Sequence, residues 1–430
     1  MKLETAKGVR DFPPEEKIIR QQIMDKLKTV FEKYGYSPLE TPIIERYDVL
    51  AAKFAAGEES DTLKETFKFE DQGKRQLGLR FDLTVPLARF VSMNPKIKMP
   101  FKRYEVGRTY RDGPIKLGRY REFWQCDVDI VGCENMLADA EIIKLSLDVF
   151  EELGLDSYIE LNNRKLLNGI LEYADIPNQK REQSIITIDK LKKIGIDDVK
   201  KELQKLGINN DSIKKITDVL QTTGSDNQIL SKLKKIINNK IGLEGIEELE
   251  QIFDYLTPDE AKNVQLNISL ARGLAYYTGP VFEGFLRKSK ISSSICGGGR
   301  YDNLIGLYLG GKKQYPATGI SFGLEPIIES VKLTKTELVK TVTHVYIIPI
   351  KTTKQALEIA QNLRKIGIKT DVDLIGRGLS KNLDYADKLR IPYIIIVGPK
   401  DLEKNQVTVR NMKTGKEEKV LIKNIVSYKF

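Results

Sequence analysis

One histidine, His344, occurs among the 430 residues. A Ser-His-Asp triad, a Cys-His pair or a multi-histidine metal centre would each have to be built around it. The expected chemistry is therefore one that needs no histidine general base. Cysteine is almost as scarce. Cys126, Cys133 and Cys296 show no C-x-x-C spacing and are odd in number, which argues against a four-thiolate zinc site and a disulfide framework. They read as small thiols in a reducing compartment. Long apolar runs are missing too. Stretches such as Tyr393–Val397 fall far short of the roughly 18 residues that a membrane span needs. The opening MKLETAKGVRDFPPEE is charged and lacks the apolar core of a signal peptide. A cytoplasmic protein with no membrane partner is expected.

The residues present have a globular balance, 41% hydrophobic and 30% charged. The length suggests about three domains. The net charge of +10 is unevenly placed. Lys340 to Phe430 holds 18 basic and 9 acidic residues, so 18 − 9 = +9 of the total sits in the last fifth of the chain. A basic module on a near-neutral body suggests a polyanion-binding appendage. Between Asp175 and Asp254 the signs balance instead, 14 against 14.

Apolar positions Ile18, Ile19, Ile23, Leu27, Val30 and Phe31 predict a helix over Glu15–Tyr34, opened by Pro13-Pro14 and acidic residues. Ser37–Ile44 reads as a strand. Met99 to Gly132 alternates as two long strands around the polar loop DGPIKLGRY, an antiparallel pair with a basic tip. From about Leu166 to Asp259 the chain turns Ile-, Leu- and Lys-rich with helical spacing, as a small inserted bundle would. Strand character returns at Asn263–Phe285 and Ile291–Cys296. Thr334–Lys340 is a short charged linker. Beyond it HVYIIPI, IKTDVDL and PYIIIVG alternate with helical stretches Lys354–Gly367 and Leu379–Leu389, the pattern of an α/β module with a largely parallel sheet. A closing hairpin turns at Lys413–Lys416.

Familiar nucleotide motifs fail. GLYLGGKK at Gly306–Lys313 resembles a phosphate loop, but Lys313 stands where the magnesium-binding hydroxyl belongs. No G-x-G-x-x-G follows a strand. What remains is a set of arginines and carboxylates near strands: Arg111, Arg119 and Arg121 around the hairpin loop, Arg272 before Tyr276-Tyr277, and Asp82 in LRFDLTVP. Gln125, Asp127 and Asp129 are spaced by two and share one sheet face. Arginine on a rigid strand suits bidentate binding of phosphate or carboxylate.

These stretches resemble the histidyl-tRNA synthetases, a family of class II aminoacyl-tRNA synthetases, over nearly the whole length. KGVRDFPPEE is similar to the N-terminal signature of the family. Glu15–Tyr34 with Glu40-Thr41-Pro42 resembles motif 1, the dimer element. RYEVGRTYRDGPIKLGRYREFWQCDVDIVG resembles motif 2, and ATGISFGLEPI resembles motif 3. LARGLAYYTGPVFE and CGGGRYDNLIGLYLGG resemble the two signatures peculiar to the histidine enzymes. The resemblance implies an α+β catalytic domain on an antiparallel sheet, in two parts at 1–165 and 261–333. A helical insertion at 166–260 and a C-terminal α/β anticodon-binding domain at 340–430 complete it.

It also implies ATP-dependent ligation of L-histidine to tRNA(His) through a histidyl-adenylate, in a homodimer using ATP and Mg²⁺, with no DNA partner and no protein metal site. Arg111 matches the motif 2 arginine on the α-phosphate, and Arg272 the arginine characteristic of the family; both are expected to be catalytic. Arg119, Arg121 and Gly323 fall with Arg111 on the ATP side. Asp82, Thr84 and Gln125 match the groups around the substrate amino and carboxylate groups, where Arg272 and Tyr276 are also expected. Asp129 and Tyr277 match those reading the imidazole. Two positions depart from the pattern. Pro326 follows Glu325 where an arginine usually holds the γ-phosphate, and Ala275 stands where an aspartate often precedes the tyrosines. A regulatory paralogue acting in histidine biosynthesis or sensing would share the fold, but such paralogues typically lack the basic C-terminal module.

Overall fold

The computed structural model describes residues 2–52, 64–115, 120–272, 276–311, 313–334 and 339–430. It divides into two compact units: residues 1–10 with 23–334, and residues 11–22 with 335–430. Among the described residues no helix is long and apolar enough to cross a membrane.

The strands of the larger unit are β1 (Ser37–Pro38), β2 (Ile44–Arg46), β3 (Lys68–Glu70), β4 (Gln76–Leu79), β5 (Phe101–Tyr110), β6 (Glu122–Val131), β7 (Ser157–Asn163), β8 (Val264–Leu266), β9 (Pro280–Leu286), β10 (Cys296–Arg300) and β11 (Ala317–Gly323). Eight of them form one sheet in the order β1-β5-β6-β11-β10-β9-β7-β8, and β2-β4-β3 form a small second sheet. The large sheet is mixed. Its central pairs β5/β6, β6/β11, β11/β10, β10/β9 and β9/β7 are antiparallel, and only β1/β5 and β7/β8 are parallel.

The helix expected near the N-terminus spans Pro14–Lys33, and the long hairpin is β5 and β6 as expected. Three strand expectations are corrected. Ser37–Ile44 is no single strand: β1 stops at Pro38 and β2 begins at Ile44. Pro38 and Pro42 have no N–H for a ladder. Thr41 spends its own N–H on the Glu105 carboxylate at 3.0 Å. Asn263–Phe285 breaks into β8 and β9 because Asn267 turns the chain, its Oδ1 accepting from the Ser269 N–H at 3.1 Å. The strand placed at Ile291–Cys296 begins only at Cys296 and runs on through three glycines, which let backbone and ligand approach closely.

Between β7 and β8 the chain is helical, from Arg164–Tyr173 to Lys240–Tyr255. Asn209 and Asn239 cap their helices by accepting from Ser212 and Gly242 N–H, and Ser225 opens another with a capping box. The apolar face of the first of these helices meets later ones in a core that includes Leu167, Ile185, Ile188, Val199, Leu203 and Ile216, and this core takes in Ala271 from beyond β8.

The second unit carries a five-stranded sheet, β12 (Val345–Pro349), β13 (Thr370–Val372), β14 (Tyr393–Val397), β15 (Gln406–Asn411) and β16 (Glu417–Leu421), in the order β13-β12-β14-β15-β16. The first three strands are parallel and the last two form the expected antiparallel hairpin. Helices Thr353–Lys365 and Leu379–Lys388 follow β12 and β13. His344 belongs here, its ring 5.6 Å from that of Tyr393.

Candidate active site

Register assembles the site. β5 sets Arg103 opposite Asp129, Glu105 opposite Asp127 and Gly107 opposite Gln125. From the other side β11 sets Gly319, Ser321 and Gly323 opposite the same three β6 residues. Alternate side chains share a face, so a row of acidic and polar groups faces one way along β6. Small residues on β11 leave room for them: a Cβ on Gly319 would collide with the Asp129 carboxylate. The resulting cleft encloses about 500 Å³, counting its open mouth. It is lined by Asp82, Thr84, Arg111, Gln125, Asp127, Asp129, Arg272, Tyr276 and Tyr277, with Gly297–Gly299, Tyr301 and Ser321.

The floor is a buried charge network. Asp129 accepts from the Tyr301 hydroxyl through Oδ1, and its Oδ2 lies 2.8 Å from Arg103 Nη2. The Arg103 side chain is fully buried, and Glu105 lies 3.8 Å from its other terminal nitrogen. Glu105 in turn accepts from Arg80 Nη1 at 2.7 Å and from Thr41 Oγ1 at 2.9 Å. Removing this many charges from water is costly unless they are paired. Asp127 is the least satisfied member. Burial, with Asp129 and Asp82 nearby and only partly offset by Arg103, pushes its carboxyl up to about 8. Its Oδ1 is buried without a hydrogen-bond partner, as is Gln125 Oε1. Gln125 is held by its amide, which donates to Ser321 Oγ at 2.8 Å.

Two guanidinium groups line the same cleft. Arg111 donates from Nε to the Phe81 carbonyl at 3.2 Å, and its guanidinium stands 5.1 Å from the Phe123 ring centroid. Arg272 donates from Nη1 to Glu283 at 3.1 Å and stands 5.7 Å from the Tyr277 ring. It lies so close over the glycine strand that a Cβ on Gly297 would collide with it. Its Nε is buried with no acceptor. Tyr276 and Tyr277 pack with ring centroids 4.5 Å apart, their hydroxyls 3.4 Å from one another. Asp82 lies just before the helix Thr84–Met93 and accepts from the first-turn Val85 N–H at 2.9 Å. The cleft thus presents hydrogen-bond acceptors suited to an ammonium or ring N–H beside guanidinium groups suited to carboxylate or phosphate.

The family model described as histidyl-tRNA synthetase matches residues 8–327. The chain belongs to the histidyl-tRNA synthetase family. A model described as an anticodon binding domain matches residues 344–428. A histidine–tRNA ligase 1 from Bacillus cereus is 44% identical over 430 residues, covering 100% of both chains. A histidine–tRNA ligase 2 from Shouchella clausii is 40% identical over 420 residues, with 97% of this chain and 98% of its own covered. The crystal structure of a histidyl-tRNA synthetase from Nostoc superposes with a TM-score of 0.87 at 30% identity, covering 99% of each chain.

Of the residues that the family resemblance singled out, Asp82, Thr84, Arg111, Gln125, Asp129, Arg272, Tyr276 and Tyr277 line the one cleft. Arg121 and Gly323 are not among its lining residues. Arg121 pairs with Asp112 at 3.0 Å, and Gly323 closes β11 opposite Gln125. Arg119 and Ala275 lie outside the described residues. Pro326 lies in the first turn of the helix Leu324–Thr334, where a Cβ on Gly323 would meet its ring at 3.0 Å. No cation extends from that position. Asp129, expected to read the imidazole, also has its carboxylate engaged by Arg103 and Tyr301. Asp127, Tyr301, Ser321 and Glu283 carried no assigned role in the sequence. The period of two along β6 already contained the signal for Asp127. Tyr301 and Glu283 lie inside the two histidine signatures.

Proposed function

We propose that this cleft activates L-histidine with ATP and that the protein then transfers the histidyl group to tRNA(His). The observation that carries the reading is the meeting of Arg111, Arg272 and the acidic β6 face in one cleft. The substrate carboxylate attacks the α-phosphorus of ATP, pyrophosphate leaves, and a histidyl-adenylate results. The enzyme supplies no nucleophile and no histidine base. Arg111 and Arg272 stabilise charge that develops on the α-phosphate, while Asp82, Thr84 and Gln125 hold the amino and carboxylate groups. Tyr276 supports Tyr277, and Asp129 and Tyr277 read the imidazole. Arg119, Arg121 and Gly323 remain assigned to the ATP side. Magnesium arriving with ATP would supply charge neutralisation at the phosphates. Among the described residues no group of three or more His, Cys, Asp or Glu is arranged to hold an ion.

In this reading 1–165 and 261–333 form the catalytic domain, the helices within 166–260 lie by the tRNA acceptor arm, and 340–430 takes the anticodon. The full-length match to ligases, including the anticodon-binding module, favours the enzyme over a regulatory paralogue. A structure described as an ATP phosphoribosyltransferase regulatory subunit/histidyl-tRNA synthetase shares 22% identity and thus the fold alone.

The +9 charge of the last module gives a test. Removing Lys340–Phe430 should spare histidine activation and weaken tRNA charging, and the affinity lost should fall steeply with salt. A folded truncation that charges tRNA as well as the whole chain would overturn the anticodon role. The resemblance of the N-terminal helix to motif 1 supports a homodimer, and a cytoplasmic location is proposed with it. Sedimentation at working concentration should find a dimer, and a fully active monomer would contradict it.

A further inference from the structure

Arg272 sits in an unusual place on the backbone. Its φ is +54°, in the left-handed region that residues other than glycine, asparagine and aspartate seldom enter. Such a conformation persists only where the surroundings hold it. The surroundings here come largely from the helical segment inserted between β7 and β8. Asp189, the last residue of the helix Asn178–Asp189, accepts through one oxygen from two successive backbone donors, Ala271 N–H at 2.9 Å and Arg272 N–H at 3.2 Å. The Ala271 methyl is buried in the core of that same segment, among Ile185, Ile188 and their neighbours. The Cα of Arg272 is therefore tied to the insertion by a charge-assisted fork and by packing. Its guanidinium is steered separately, by Glu283 and by the surface of Gly297.

We propose that Asp189 is a positioning residue for Arg272, fixing its left-handed backbone so that the guanidinium reaches the reacting phosphate. Asp189 is not among the residues that line the cleft; it acts through the arginine. The inserted helices thereby become part of the adenylation machinery as well as an accessory to it, since a movement of the helix ending at Asp189 displaces the root of Arg272. The inference rests on the catalytic role proposed above for Arg272. The neighbourhood supports a mechanical link: Lys192, three residues on, is ion-paired to the buried Glu160 of β7. Glu160 also accepts from Asn267 Nδ2 at 2.7 Å, at the start of the loop that carries Arg272.

Single-turnover adenylation of the full-length enzyme tests this through four proteins: wild type, Asp189→Ala, Arg272→Ala and the double variant. A displacement of about 1 Å at a catalytic group can slow the chemical step on the order of 100-fold. Asp189→Ala should accordingly lose roughly 10- to 100-fold in the adenylation rate, with its unfolding midpoint lowered by a few degrees as two backbone donors lose their acceptor. In the Arg272→Ala background the same change should have no further effect. Asp189→Asn, which keeps an acceptor oxygen at the same reach, should restore most of the rate. Should Asp189→Ala not fold, Asp189→Ser shortens the reach while keeping a polar group and serves the same comparison. A wild-type rate in Asp189→Ala, or losses that simply add in the double variant, would overturn the proposal. An unimpaired Arg272→Ala would instead sink the role of Arg272 itself, so the two failures are told apart.

Discussion

Arg272→Ala should slow histidyl-adenylate formation by roughly 100- to 1,000-fold, the usual effect of losing one preorganised donor aimed at developing charge. The fold should survive. Among the described residues Arg272 is ion-paired to Glu283 alone, at 3.1 Å, and both side chains retain about a fifth of their exposure. Burial raises the Glu283 carboxyl, with Asp189 and Glu160 adding to this and Arg272 and Lys193 opposing it, so loss of the arginine raises it further. Rapid-quench measurement of adenylate, alongside thermal unfolding, separates the two effects. A variant that forms adenylate at the wild-type rate would remove Arg272 from the chemistry.

Asp129→Asn has two expected consequences, one for binding and one for stability. If Asp129 accepts from a ring N–H of histidine, losing the charged acceptor should raise the histidine KM about 10- to 100-fold while the ATP KM stays nearly constant. The same substitution strips Arg103 of its nearest counter-charge at 2.8 Å, with the guanidinium fully buried. Breaking a buried pair on one side typically costs about 3–5 kcal/mol. Pairing Asp129→Asn with Arg103→Met distinguishes the causes. Removing both charges should recover much of the stability, since apolar replacements of buried pairs are often neutral, without restoring histidine binding. Normal histidine activation in Asp129→Asn, or a defect confined to ATP, would show that Asp129 serves the Arg103–Tyr301 network and not the imidazole.

The sequence makes some of this legible and hides the rest for physical reasons. The β5/β6 hairpin and the C-terminal α/β module are readable because their apolar periods are long and uninterrupted. The shared face of Gln125, Asp127 and Asp129 follows from the period of two alone. Their partners do not, because Arg103 meets Asp129 only through the register of β5 on β6, and Tyr301 only through the path of the chain beyond β10. The glycine run Gly297–Gly299 looks like a turn by composition. It is a strand because it pairs with β9 and β11, and Arg272 and the neighbouring β11 backbone leave no space there for side chains. The backbone of Arg272 was the least accessible feature. Nothing local announces a left-handed arginine, and what holds it is a helix end more than 80 residues earlier in the chain.

The most direct test is amino-acid-dependent exchange of labelled pyrophosphate into ATP by the purified full-length protein, with each of the common amino acids offered in turn. An enzyme that forms histidyl-adenylate in this cleft gives exchange with histidine and background with the others, and the signal disappears in Arg272→Ala. Exchange driven by a different amino acid, or no exchange with histidine in the presence of ATP and Mg²⁺, would contradict the assignment.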